Sequence, residues 1–278
     1  MPEVLILANE TIGGQALLDA IKERAQQGDS PGFHVCVPTI RPPYGNVIYD
    51  DAVRDSAQVR VDLALSFMEQ EDIHGTGEVG DPDPFNAATD ALAVHPCDEI
   101  IVSTLPPTES KWLRRDLIGK LQADTGLPVR HVIVDLARDG LPFDVTLVVA
   151  NQTAAGGELE ERLKALASEG PRRFIAVVPQ DSGDGTACIA ATGRLKQLIA
   201  DLRDVGIVAA GMIGHPDPYT AVLNAVAYFH ISDIVISTLP SNRSEWLKND
   251  LPEKVRSATG KEVVHVESTA DEPAGAEA

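Results

Sequence analysis

The chain has 278 residues, and at roughly 150 residues per domain this length predicts two compact units. Hydrophobic residues make up 44% of the sequence and charged residues 23%, a balance that supports folded cores and excludes wholesale disorder. Asp and Glu number 42 against 23 Lys and Arg, a net charge of −19, so nucleic acid and anionic membranes are unfavourable partners. The apolar stretches are strand-sized and the N terminus carries no basic leader, so we expect a cytoplasmic protein without a membrane span.

The first half of the chain alternates short apolar runs with longer amphipathic stretches, a pattern typical of a parallel sheet covered by helices. We predict strands near 3–8, 33–37, 75–79, 98–103 and 129–134, and helices near 14–27, 51–70, 84–95 and 116–125. Asp83 directly precedes Pro84 at the start of the third helix. This pair predicts an N-cap carboxylate followed by a proline in the first helical turn.

The second half follows the same alternation. We predict strands near 145–150, 173–178, 207–213, 232–237 and 262–266, and helices near 157–168, 187–204, 218–229 and 250–259. Asp217 and Pro218 repeat the predicted N-cap of the third helix. Pro252 is tolerable only in a first helical turn, so the fourth helix is predicted to begin at Asp250 and no earlier.

The two halves of the sequence are copies of one another. Residues 98–117 and 232–251 agree at ten of twenty positions, at a constant offset of 134. Background residue frequencies would give about one or two matches. We therefore predict two domains, residues 1–135 and 143–267, followed by an acidic, disordered tail at 268–278.

Each copy is predicted to be a doubly wound, Rossmann-like parallel sheet with strand order 3-2-1-4-5. Such α/β sheets bind ligands beyond the carboxyl ends of their strands, where the strand order reverses. In the first copy the candidate ligand-binding residues near that point are Asn9, Thr11, Gly80, Ser103, Thr104 and Ser110. In the second copy they are Asn151, Thr153, Gly214, Ser237, Thr238 and Ser244. Neither the three cysteines nor the histidines have metal-site spacing, so we expect no metal cluster, and no catalytic set is recognisable.

The arrangement of strands, loops and helices in each copy resembles the universal stress protein family, in which tandem pairs are common. The likeness spans residues 1–135 and 143–267. ATP-binding members of that family carry the motif G-x2-G-x9-G-[ST] after the fourth strand, and this chain keeps the spacing of the motif without its glycines. The motif positions are occupied by Ser103, Pro106, Asp116 and Leu117 in the first copy and by Ser237, Pro240, Asp250 and Leu251 in the second.

These replacements predict that ATP is not bound in the family's usual manner. Proline removes an amide donor and a flexible backbone position, and the aspartates add negative charge near the expected phosphates. Asn9 and Asn151 also replace the aspartate that the family places after the first strand. A small neutral or weakly anionic ligand could still bind the polar residues, helped by Lys111 in one copy and Arg243 in the other.

Two functions stay open on the sequence alone. The first is a non-enzymatic binding or scaffold protein without a cofactor, for which the resemblance implies a role in the stress response. The alternative is a nucleotide-binding protein that holds ATP or AMP through an altered loop. In either case we expect the copies to form an intramolecular pseudo-dimer joined through their last strands. A further homodimer or a protein partner is compatible with both functions.

Overall fold

The computed structural model describes residues 2–28, 30–40, 50–154, 156–180 and 185–268, with the backbone alone for 50–55 and 185–188. The chain divides into two compact units, and the boundary lies between Pro142 and Phe143. Within the described ranges, no helix is both long and apolar enough to cross a membrane.

The first unit is a five-stranded sheet with helical crossovers. Its strands are β1 (Glu3–Leu7), β2 (Gly32–Pro38), β3 (Gly75–Gly80), β4 (Glu99–Thr104) and β5 (Val129–Ile133). Its helices are α1 (Gln15–Ala25), α2 (Asp50–Gln70), α3 (Pro84–Val94), α4 (Leu117–Thr125) and the short α5 (Leu136–Asp139), with a 3₁₀ turn at Leu113–Arg115. The strand order is β3-β2-β1-β4-β5, and every pairing is parallel.

The second unit repeats this architecture. Its strands are β6 (Asp144–Val149), β7 (Arg172–Pro179), β8 (Ala209–Gly214), β9 (Asp233–Thr238) and β10 (Glu262–Glu267). Its helices are α6 (Gly157–Ser168), α7 (Gly185–Asp204), α8 (Pro218–Tyr228), the short α9 (Glu245–Lys248) and α10 (Leu251–Thr259). The order β10-β9-β6-β7-β8 is again the 3-2-1-4-5 arrangement, with parallel pairings.

The predicted fold class is therefore confirmed. The sequence analysis missed only brief elements: the 3₁₀ turn, α5 and α9. These elements are three or four residues long. An amphipathic period needs more than one helical turn to become visible, so such short pieces carry no signal of their own.

The core lies on both faces of each sheet. In β1 the consecutive residues Val4, Leu5, Ile6 and Leu7 are all fully buried. Consecutive strand residues point to opposite faces, so a continuously apolar strand is one covered on both sides. This explains why the central strands appear in the sequence as unbroken apolar runs rather than as an alternating pattern.

The predicted N-caps of the third helices are also confirmed. Asp83 Oδ1 accepts hydrogen bonds from the amides of Phe85 at 2.9 Å and Asn86 at 3.4 Å. Asp217 Oδ2 accepts from the Thr220 amide at 3.0 Å and from its hydroxyl at 2.6 Å. These contacts satisfy amides that the first turn of a helix leaves without partners.

The second unit ends later than the sequence indicated. Ser268, expected to be the first residue of the tail, is fully buried. Its amide donates to the Thr238 carbonyl oxygen at 2.8 Å, and its hydroxyl donates to Glu158 Oε2 at 2.9 Å. The rest of the predicted tail, from residue 269 onward, lies outside the described residues.

Candidate functional site

A cleft of about 900 Å³ opens beyond the carboxyl ends of β1 and β4 in the first unit. It therefore lies at the switch point of the sheet, as the sequence analysis expected. Polar side chains from the segments that follow the first four strands of the sequence line it together with apolar groups. The polar, charged and aromatic lining residues include Asn9, Glu10, Thr11, Asp83, Phe85, Ser103, Thr104, Glu109, Ser110, Lys111, Trp112, Arg115 and Lys120.

The floor of the cleft carries two buried polar atoms that have no hydrogen-bond partner, Asn9 Oδ1 and Ser103 Oγ. The other end of the Asn9 amide is occupied, because Nδ2 donates to the Pro38 carbonyl oxygen at 2.6 Å. Thr11 Oγ1 donates to the Ser103 carbonyl oxygen at 3.3 Å. An aspartate at position 9 would place a carboxylate oxygen against the Pro38 carbonyl oxygen, and two hydrogen-bond acceptors repel each other. An amide, which can donate, therefore suits this position.

The Thr104 hydroxyl is already bound within the fold. It donates to the Leu105 carbonyl oxygen at 2.9 Å and lies 2.9 Å from His131 Nε2. A hydroxyl has one proton, so the histidine donates to Thr104 and does not act as its base. Burial lowers the pKa of His131, which favours the neutral ring in this contact.

Ser110 has a local structural role as well. Its Oγ accepts a hydrogen bond from the Leu113 amide at 3.3 Å, at the entrance to the 3₁₀ turn. Of the candidate hydroxyl groups in the first unit, those of Thr11, Thr104 and Ser110 are therefore engaged by the protein. The Ser103 hydroxyl has no hydrogen-bond partner among the described residues.

The loop that resembles a phosphate-binding motif uses its amides internally. The amides of Glu109 and Ser110 both donate to the Pro106 carbonyl oxygen, each at 2.9 Å. In the second unit the amides of Arg243 and Ser244 donate to Pro240 in the same way, at 2.8 and 3.0 Å. Amides that point at a carbonyl within the loop do not present a concave nest to an anion.

The aspartates at the third motif position keep the backbone conformation that a glycine would adopt. Asp116 has φ +52° and Asp250 has φ +54°, both in the left-handed region that aspartate tolerates better than most residues. Asp116 is not among the residues that line the cleft. Its carboxylate lies against Gly119, where an added Cβ would be 2.7 Å from Oδ2. The prediction from the sequence was that this carboxylate adds negative charge where the phosphates of ATP would lie.

The rim of the cleft has balanced charge despite the acidity of the whole chain. Three lining residues are cationic, Lys111, Arg115 and Lys120, and three are anionic, Glu10, Asp83 and Glu109. The exposed pair between Arg115 Nη1 and Asp83 Oδ2 spans 3.7 Å. Such a rim accepts one negative charge more readily than several, because each further anionic group must approach the three carboxylates.

The second unit repeats the internal contacts. Thr238 Oγ1 donates to the Leu239 carbonyl oxygen at 2.9 Å and lies 2.8 Å from His265 Nε2. Ser244 Oγ accepts from the Leu247 amide at 3.3 Å, which caps α9. The hydroxyls of Ser237 and Thr153 are buried without a hydrogen-bond partner. Asn151, half-buried at the end of β6, completes the candidate set near this switch point.

No family model matches the chain, and no curated protein matches it. It is similar to the solved structure of a universal stress protein from Archaeoglobus fulgidus, at 15% identity and a TM-score of 0.35, over 97% of each chain. It is also similar to a functionally unknown protein from Pseudomonas aeruginosa, at 15% identity and a TM-score of 0.31, over 95% of this chain and 92% of that one. Both units keep the 3-2-1-4-5 strand order. The fold is a doubly wound parallel α/β sheet that occurs twice along the chain.

Two of the candidate glycines serve the packing of the fold. Gly80 is not among the residues that line the cleft. A Cβ there would lie 2.7 Å from Ala87 Cβ and 2.7 Å from Cys36 Sγ. At Gly214 a Cβ would lie 2.7 Å from Val177 and 2.8 Å from Ala221. Glycine at these positions lets α3 and α8 approach the strands closely.

Trp112 belongs to both the cleft and the core. It lines the cleft, and it is partly buried against the apolar cluster that contains Leu117 and Leu121. One side chain serves as local core and also offers an aromatic surface to the cleft.

The fold also assembles a cluster that the sequence analysis did not find. The ligating atoms of His34, Glu78 and His95 all lie within 4.8 Å of one another. Burial lowers the pKa of His34, and His95 lowers it further, while Glu78 acts in the opposite direction. The signal in the sequence was a histidine inside the otherwise apolar strand β2, with no counterpart in the second copy.

Proposed function

We propose that the chain is a non-enzymatic binding or scaffold protein whose first unit holds a small neutral or weakly anionic ligand. A nucleoside or a nucleoside monophosphate fits the chemistry of the cleft. The observation that carries this proposal is the pair of buried, unpartnered atoms on its floor, Asn9 Oδ1 and Ser103 Oγ. Buried polar groups without partners are costly, so a ligand that satisfies both gains binding energy there.

The walls and the rim support the same class of ligand. A volume of about 900 Å³ accommodates a molecule of nucleotide size. Phe85 and Trp112 offer aromatic surface for a planar base. Lys111 and Lys120 would attract a single phosphate or carboxylate at the rim, which the nearby acidic residues keep from accepting a highly charged group.

The loop supports the prediction that ATP does not bind in the usual manner of the family. Pro106 has no amide proton, and the amides of Glu109 and Ser110 already donate to its carbonyl oxygen. A triphosphate would have to break these bonds or rely on side chains alone. Both outcomes favour ligands with fewer phosphates.

A binding role also fits the side chains that line the cleft. Among the described residues that line the cleft there is no histidine and no cysteine. The one hydroxyl next to an imidazole, that of Thr104, donates to a carbonyl oxygen and accepts from the ring. A nucleophile would need the reverse arrangement, with the imidazole accepting its proton.

Calorimetric titration with adenosine, AMP and ATP tests this proposal, with the Ser103→Ala variant and the matched Ser237→Ala variant of the second unit. We expect AMP or adenosine to bind more tightly than ATP. Ser103→Ala should weaken that binding by about 3- to 10-fold, the value of one hydrogen bond. Its melting temperature should be unchanged or slightly higher, because the hydroxyl removed has no partner in the free protein.

Tighter binding of ATP than of AMP would contradict the preference for weakly charged ligands and would favour the ATP-binding form of the alternative function. Equal affinities in wild type and Ser103→Ala would contradict the proposed floor of the site. Ser237→Ala should leave binding in the first unit unchanged, which separates a local effect from a general one.

The remaining sequence-based expectations about assembly stay predictions. They are the intramolecular pseudo-dimer, a further homodimer or protein partner, and the cytoplasmic location. Sedimentation velocity of the full chain, compared with small-angle scattering, measures the first two directly.

A further inference from the structure

The pairing of β2 with β3 brings two polar side chains to one face of the first sheet. The register places His34 opposite Thr76 and Cys36 opposite Glu78. Residues two apart in a strand share a face, so His34 and Glu78 project to the same side. Helix α3 covers this face, and the Cys36 thiol donates to the Ala87 carbonyl oxygen on that helix at 3.5 Å.

His95 completes the group because it is the C-cap residue of α3. Its ring stacks on that of His34, with centroids 4.0 Å apart and an angle of 24° between the planes. The cluster lies toward the amino end of the strands, whereas the cleft lies beyond their carboxyl ends. It is therefore separate from the ligand site proposed above.

The buried member of the cluster has an unused ligating atom. His34 is 3% exposed, and its Nε2 has no hydrogen-bond partner. The nearest anionic atom, Glu78 Oε1, is 3.6 Å away, too far for a hydrogen bond. His34 Nδ1 lies 2.8 Å from Thr76 Oγ1. A ring that donates from Nδ1 to this hydroxyl keeps a lone pair on Nε2, the arrangement typical of metal-bound histidines.

The second unit shows that the fold does not require polar residues here. In β7 and β8 the register pairs Ile175 with Ala210 and Val177 with Met212, at the positions of the four residues described above. The C-cap of α8 is Phe229, at the position of His95. The same scaffold thus closes this corner with apolar side chains, so packing alone does not account for two histidines and a glutamate.

We propose that His34, Glu78 and His95 form a binding site for a divalent transition-metal ion, with Zn²⁺ as the best match. Two imidazole nitrogens and one carboxylate oxygen suit Zn²⁺, Ni²⁺ or Cu²⁺ and are a poor set for Mg²⁺ or Ca²⁺. Ligand atoms of a tetrahedral zinc ion lie about 3.4 Å apart, so the three atoms, now within 4.8 Å of one another, must move closer and the His95 ring must turn out of its stack on His34. His95 is exposed and Glu78 is half-buried, so both side chains can make that movement.

Cys36 is not counted as a ligand. Its thiol donates a hydrogen bond to the Ala87 carbonyl oxygen of α3. Burial, together with the negative charges of Glu78 and Asp90, raises the pKa of the thiol to about 12. Metal binding by cysteine requires the thiolate.

The test is a Zn²⁺ titration of the metal-free full chain, prepared without a polyhistidine tag, in competition with a chromophoric chelator. The main variant carries the residues of the second unit, His34→Ile, Glu78→Met and His95→Phe together. We expect one Zn²⁺ per wild-type chain at this site and loss of that binding in the triple variant. Glu78→Gln, which keeps the shape of the side chain, should weaken binding at least about tenfold, since even outer partners of ligands contribute 10- to 100-fold.

Two controls keep the outcome unambiguous. His215→Ala removes a histidine of the second unit and should leave the affinity unchanged. If the triple variant fails to fold, His95→Phe alone replaces an exposed residue and should lower the affinity at least about tenfold. Equal Zn²⁺ affinity of wild type and a folded variant, or binding of Mg²⁺ as tightly as Zn²⁺, would overturn the proposal.

Discussion

The two units share one scaffold and differ where the second strand pairs with the third. Both keep the strand order, the aspartate N-cap before a proline, the threonine–histidine contact and the left-handed aspartate before the fourth helix. Only the first unit carries His34 and Glu78, where the second has Ile175 and Met212. Features present in both units are ones that the fold can account for. A polar cluster present in one unit alone needs another explanation, and we infer ligand binding.

This comparison also limits what the candidate hydroxyls can do. Thr104 and Thr238 make the same two contacts in their respective units, with the next carbonyl and with a histidine of the last strand. A repeated internal hydrogen bond is best explained as a link between the fourth and fifth strands. The Ser103 and Ser237 hydroxyls have no hydrogen-bond partner within the described residues, so this explanation does not extend to them.

The largest expected effect comes from the core phenylalanines that occupy matching strand positions. Phe33 and Phe174 are 1% and 0% exposed. Replacing either by alanine should lower the free energy of unfolding of its own unit by about 3–5 kcal/mol, through lost burial and the cavity that remains. Urea unfolding followed by tryptophan fluorescence measures both losses. Trp112→Phe or Trp246→Phe leaves one reporter and assigns each loss to a unit.

Similar losses in the two units would support equivalent cores. A difference above about 2 kcal/mol would show that the units relax differently around the same deletion.

An intermediate effect is expected for the helix caps. Asp83→Ala and Asp217→Ala should each cost about 1 kcal/mol, because each removes the acceptor for first-turn amides. Burial acts to raise the pKa of Asp217, but the hydrogen bonds from Thr220, with help from Tyr219 and His215, outweigh it and hold that pKa below its ordinary value. A lowered pKa means that the stabilisation is present at neutral pH and is lost as the pH falls through that pKa.

Thermal unfolding of wild type and Asp217→Ala across acidic pH measures this dependence. The two melting temperatures should converge at low pH. A constant gap between them would mean that the carboxylate charge contributes nothing to the cap. Asp217→Asn keeps an acceptor oxygen and should recover most of the stability at every pH.

The smallest effect is expected at the left-handed aspartates. Asp116→Gly and Asp250→Gly should each stabilise the chain by about 0.5 kcal/mol. Glycine adopts a positive φ without strain, and this gain exceeds the cost of its greater conformational freedom in the unfolded chain. Asp→Ala at the same positions should destabilise by about 1 kcal/mol. Denaturant midpoints of the four variants measure these differences. A more stable alanine than glycine variant at either position would contradict the conformational explanation.

The sequence by itself determined the duplication, the order of the elements and the caps of the third helices. Repeated tryptophans, strand-sized apolar runs and the Asp83-Pro84 and Asp217-Pro218 pairs are local signals, and each can be identified from neighbours along the chain. The sequence also indicated that a cleft would open at the carboxyl ends of the first and fourth strands. Strand order in this class of fold fixes where the carboxyl ends of the first and fourth strands meet.

Only the tertiary structure decided which polar groups are free to bind. Thr104 meets His131, and Asn9 meets Pro38, through pairings between strands that are distant in sequence. His34 and His95 come together because β2 and the end of α3 meet across the sheet face, 61 positions apart in the chain. A hydrogen-bond partner or a metal ligand is defined by distance in space, and sequence spacing carries that information only when the residues share one strand or one helical turn.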